Sequence, residues 1–90
     1  MTFDPLVEAI RKSLRTLDAS PGNPGAYLDL IQAYLNCAQK ESEPELLDQA
    51  TFVIRDVRKL SLTDEQSARL AALETEVRDS LLRLRPSPRP

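Results

Sequence analysis

Apolar residues recur along this chain at three- and four-residue intervals, and no stretch alternates as a half-buried strand would. The pattern predicts four amphipathic helices, each opened by a start signal. The first covers about residues 5–17: Leu6, Ile10, Leu14 and Leu17 form a stripe with Val7 beside it, and Glu8, Arg11, Lys12 and Arg15 lie on the other face. Asp4 suits its N-cap, Pro5 suits its first helical position, and Glu8 and Lys12 stand four apart.

The second segment, about residues 24–40, has an apolar arc covering half its circumference. Tyr27, Leu30, Ile31, Tyr34, Leu35, Cys37 and Ala38 occupy the arc with Leu28 at its edge, while Asp29, Gln32, Asn36 and Gln39 face away. A face this broad requires two or more neighbours, which predicts the centre of the domain. The third helix, about 43–60, opens on Ser42-Glu-Pro-Glu45, a capping-box pattern, and carries Leu46, Ala50, Val53, Val57 and Leu60 inward, with Leu47 and Ile54 flanking. A second box, Thr63-Asp-Glu-Gln66, opens the fourth helix, about 64–84. Its Leu70, Leu73, Val77, Leu81 and Leu84 are spaced close to a coiled-coil seam, and Glu65–Arg69, Glu74–Arg78 and Asp79–Arg83 are its expected i,i+4 pairs. The expected fold is therefore all-α: four antiparallel helices forming one domain over residues 1–85, with a proline-rich tail, 86–90, expected to be disordered.

Composition narrows the function. Ninety residues make one modest core with little room for a deep enclosed site. A net charge of −2 gives no general attraction to phosphate, which argues against nucleic acid as a partner. With one cysteine there is no internal disulfide, and no apolar run suggests a signal peptide or a membrane span, so a cytoplasmic location with no membrane partner is expected. The chain has no histidine, the commonest general base and transition-metal ligand, so neither an enzyme nor a cofactor protein is expected.

Several stretches invite a chemical reading. Ser20-Pro-Gly-Asn-Pro-Gly25 precedes a helix as a phosphate loop would, yet it follows no strand, lacks the Gly-Lys-Ser/Thr ending and loses two amide donors to proline. Helix punctuation accounts for it fully, with Pro21-Gly22 as a turn, Asn23 as cap and Pro24 at the first position. The acids Glu41, Glu43, Glu45 and Asp48 lack the ligand spacing of a calcium loop and suit a helix N-terminus. Cys37, on an apolar arc, reads as a structural thiol. Phe52 falls opposite the third helix's stripe, among Asp48, Arg55, Asp56 and Lys59, where it marks either a partner surface or an ordinary exposed apolar residue. Val77, Leu81 and Leu84 on the fourth-helix seam offer a route to a homo-oligomer. The tail from Arg85 resembles a polyproline ligand only superficially and is expected to be a plain terminus.

Over residues 23–62 the sequence resembles a tetratricopeptide repeat. Tyr27, Leu30 and Tyr34 match the aromatic, leucine and tyrosine spacing of that motif's first helix, and Ala50, Ile54 and Val57 stand for the small, large and small positions of its second. Ile31 stands where the family carries a small residue, and no proline closes the unit at Leu62. The resemblance implies an antiparallel hairpin on which neighbouring helices stack, used to bind other proteins. The expected function is a non-enzymatic protein-interaction module, an adaptor, scaffold or small chaperone. The alternative is a small helix-turn-helix DNA-binding regulator, resting on Arg55, Arg58 and Lys59.

Overall fold

A computed structural model describes residues 5–84. The Asp4 cap and the tail 86–90 lie outside the described residues. Four helices account for most of the rest: α1 (Pro5–Ala19), α2 (Pro24–Glu41), α3 (Pro44–Val57) and α4 (Asp64–Leu84). Among the described residues there is no strand, so the fold is all-α as the periodicity predicts.

The stretch Ser20–Gly25 is punctuation. The Asn23 side chain accepts a hydrogen bond from the Gly25 amide at 3.0 Å, Pro24 takes the first turn, and the Tyr27 hydroxyl donates to the Pro21 carbonyl at 2.9 Å. The α2–α3 corner differs from the expected capping box. Helix α2 continues to Glu41, and Ser42 ends it in the left-handed conformation, φ 53°, with its amide and that of Glu43 both donating to the Ala38 carbonyl. A residue held in that conformation closes one helix and is not the N-cap of the next. Glu43 is the N-cap of α3 and makes no side-chain cap bond. The second box forms as expected: the Thr63 amide donates to Gln66 Oε1 at 3.0 Å and the Gln66 amide to Thr63 Oγ1 at 3.1 Å.

Helix α3 stops at Val57 and not at Leu60, because the amides of Lys59 and Leu60 turn to the carbonyls three residues back, Asp56 and Val57. The tighter turn brings Leu60 and Leu62 against the core.

The centre of the molecule is α2, which has two buried faces about half a turn apart. Ala26, Leu30, Ala33 and Cys37 form one, and Leu28, Ile31, Leu35 and Ala38 form the other. The second face joins Leu47, Ala50, Ile54 and Val57 of α3 and Leu70, Leu73 and Val77 of α4 in one cluster. Leu28, expected at the edge of an arc, is 1% exposed inside it. The first face receives α1, which packs on α2 alone among the described helices, whereas α4 packs on both α2 and α3. No residue of α1 is fully buried. The result is an open array, 43 × 38 × 17 Å, whose short dimension is less than two helix diameters.

Candidate functional site

The α4 seam is mostly internal. Leu70, Leu73 and Val77 face α2 and α3 and are almost wholly buried, while Leu81 and Leu84 are half-buried. Val77 at 3% exposure is therefore core and not free surface, because the fourth helix covers the face of the α2–α3 hairpin opposite the one that α1 occupies on α2. Of the three seam residues expected to offer a route to a homo-oligomer, Val77 is core, and Leu81 and Leu84 are half-buried.

The expected pairs on α4 also change partner. Arg69 reaches across to Asp29 of α2 at 3.0 Å, and Arg83 donates to the Ser80 hydroxyl at 3.2 Å. Only Glu74–Arg78 forms an ion pair within the helix, at 3.8 Å, and the same Glu74 carboxylate also holds Arg58 at the end of α3. Ser80, a buried polar residue, takes a further hydrogen bond from Gln39 at 3.1 Å, which ties α4 to the end of α2. Arginines reach farther than the helix spacing requires, so where a neighbouring helix presents a partner the tertiary pair replaces the local one.

Between α3 and α4 lies a groove of about 180 Å³. Its floor is Ile54, Val77 and Leu81, and Arg55, Arg58 and Arg78 stand around it with the single carboxylate Glu74. Three of the residues expected to contact a protein partner, Arg55, Val77 and Leu81, meet here, with Arg58 of the DNA-binding alternative beside them. Leu84 does not; it lines a separate depression with Gln39, Ser80 and Arg83. Phe52 is 55% exposed, one turn from Arg55 on the outer side of α3, with Asp48, half-buried, and the exposed Asp56 and Lys59 on neighbouring positions.

Leu82, an exposed apolar residue not singled out from the sequence, lies on α4 and lines a separate shallow depression with Asp79 and Arg83. It is 62% exposed and one turn from Arg78 on the other bank. On a helical projection Phe52 and Leu82 each lie about a quarter-turn or more from the mean direction of the groove-lining positions of their own helix, on its outward side. The signal for Leu82 was present in the sequence: like Phe52, it falls off its helix's apolar stripe, among Arg78, Asp79 and Arg83.

A second cleft, about 320 Å³, opens between α1, α2 and α4, with Lys12, Thr16, Asp29, Gln32, Asn36 and Arg69 along it beside Ala9, Ala26 and Ala33. Its single carboxylate, Asp29, is already paired with Arg69. Burial raises the Tyr34 hydroxyl above its ordinary pKa of 10.0. Among the described residues no three metal-ligating side chains come together, and no helix is long and apolar enough to cross a membrane. Comparison with protein-family models, with curated proteins and with solved structures finds no match to this chain.

Proposed function

We propose that this chain is a non-enzymatic protein-interaction module, working as an adaptor, scaffold or small chaperone. The observation that carries the reading is the outward face of α3 and α4, where Phe52 and Leu82 remain more than half exposed on either bank of an apolar-floored groove. Isolated apolar residues are ordinary on any surface; here two large ones each stand one turn from an arginine that lines the same groove, Phe52 from Arg55 and Leu82 from Arg78. Aromatic and arginine side chains are the residue types most often found to anchor such contacts.

The open array supports the same reading. An α2–α3 hairpin with α4 packed on both of its helices is compatible with the stacking that the tetratricopeptide resemblance implies. Ile31, too large for the family's usual position, fills the space between α2 and the α3–α4 pair at 0% exposure.

The test is affinity capture from native lysate on the immobilised chain, compared with a Phe52→Ala, Leu82→Ala double variant. A protein retained in stoichiometric amount by the wild type and lost by the variant is the expected result. Equal recovery on both, with helix content unchanged, would remove this face as the binding surface.

A further inference from the structure

We infer that the α3–α4 groove receives an acidic amphipathic helix of a partner protein, with apolar side chains seated against Leu81, above the closed floor of Ile54 and Val77, and carboxylates paired with Arg55 and Arg78. This inference rests on the protein-interaction reading and specifies the partner's chemistry. It starts from a charge contrast. The chain as a whole carries −2, yet the groove is lined by three guanidiniums and one carboxylate. Glu74 is shared between Arg58 and Arg78, so it offsets only one of the three charges, and Arg55 is left with no carboxylate along the groove. The positive excess sits over an apolar floor, and a partner that satisfies both must be apolar on one side and acidic beside it.

Size and shape restrict the occupant further. About 180 Å³ is below the roughly 300–1,000 Å³ of small-molecule pockets and suits side-chain anchors better than a free metabolite. The lining positions run from Thr51 and Leu81 at one end to Arg58 and Glu74 at the other. Seven residues of α3 at 1.5 Å each make a track about 10 Å long, the length of two helical turns. A third helix laid along two others presents apolar side chains at i, i+3 or i+4 and i+7 to such a track. Acids flanking those anchors meet the arginines, which bind carboxylates through paired N–H donors. Phe52 and Leu82, just beyond the rim, cover the partner's flanks. A nucleic-acid duplex would offer phosphates to the rim and nothing to the floor.

The test uses two synthetic helical peptides with the same leucines at i, i+4 and i+7, flanked by glutamates in one and lysines in the other, followed by fluorescence anisotropy with the full chain. The glutamate peptide is expected to bind at least about tenfold more tightly, with affinity falling as salt rises. An Arg55→Glu, Arg78→Glu variant is expected to invert that preference; both side chains are exposed, so its helix content by circular dichroism should hold. If that variant does not fold, Arg55→Gln with Arg78→Gln replaces it and is expected to abolish the preference. Equal affinity for the two peptides, no binding by the wild type, or a preference untouched by the substitutions would overturn the inference. So would a chain that dimerises in sedimentation through this groove, or duplex DNA that displaces the glutamate peptide. A partner captured through Phe52 and Leu82 but indifferent to the arginine substitutions would leave the interaction reading standing and remove this one.

Discussion

Ser42 is the one non-glycine residue among those described with a positive φ, and a side chain there costs about 1–2 kcal/mol against the following carbonyl. Replacing it with glycine relieves that strain but adds freedom to the unfolded chain, so Ser42→Gly is expected to stabilise by up to about 1 kcal/mol, read as a raised denaturation midpoint at unchanged slope. Gly22 is the opposite case. Its φ is not positive and an added Cβ meets nothing within 4 Å, so Gly22→Ala is expected to gain about 0.4–1 kcal/mol by restricting the unfolded chain. The same change at Gly25 brings a Cβ to 3.3 Å from the capping Asn23 oxygen, which opposes the gain. Tyr34 predicts the response to alkali. Its folded pKa lies above its unfolded value, so the folded state holds the proton longer and ionisation works against folding. Stability from this group is intact below pH 10 and falls as pH climbs toward the folded value, and Tyr34→Phe is expected to flatten that fall in denaturation measured across the range. Residues of this kind show where the sequence is legible and where it is not. The Asn23 cap and the Thr63–Gln66 box depend on neighbours a few positions apart and were readable. Ser42 was not, because the same serine fits the end of one helix and the start of another, and only the path of the backbone decides between them.

Helices differ in how firmly they are held. Helix α1 rests on α2 alone and buries no residue fully, whereas α2 is covered by three helices and α4 is cross-linked to its neighbours by Arg69–Asp29, Arg58–Glu74 and Gln39–Ser80. Exposed ion pairs contribute only about 0–1 kcal/mol each, so the difference lies mainly in buried apolar area. Amide hydrogen exchange should therefore show α1 opening at a lower free energy than the middle of α2. Uniform protection across both helices would contradict this ordering. Helix positions were legible because each stripe repeats at 3.6 residues. The pairing of stripes was less so. The α4 heptad-like seam looks the same whether it meets another molecule or the hairpin beside it, and its burial at Val77 follows from the open arrangement of the other three helices. The candidate site was legible in part for the same reason: Phe52 and Arg55 stand out on one helix, but the groove belongs to two helices and takes Arg78 and Leu82 from the second.

At the scale of the whole molecule, the two buried faces of α2 divide the interior into unequal parts, and Cys37 lies on the smaller. It is 4% exposed, shares a face with Ala26, Leu30 and Ala33, and stands apart from the cluster that unites α2, α3 and α4. Ala26 and Ala33 line the cleft beside Ala9, Lys12 and Thr16, which places this face beneath α1. Lifting α1 would therefore uncover the thiol while leaving the larger cluster assembled. Thiol labelling with an aromatic disulfide reagent then measures whether the array melts as one unit. If α1 opens by itself, Cys37 is expected to react in denaturant well below the midpoint seen by circular dichroism, with most of the helical signal intact. Leu30→Ala, which removes the largest side chain of that face, should speed labelling further, since such truncations cost about 2–5 kcal/mol when the gap does not close. Leu47→Ala, on the far side of α2, should lower the global midpoint and leave the early labelling phase unchanged, because Leu47 belongs to the cluster from which Cys37 stands apart. If labelling instead follows the global transition in all three chains, α1 is part of a single cooperative unit despite resting on one neighbour.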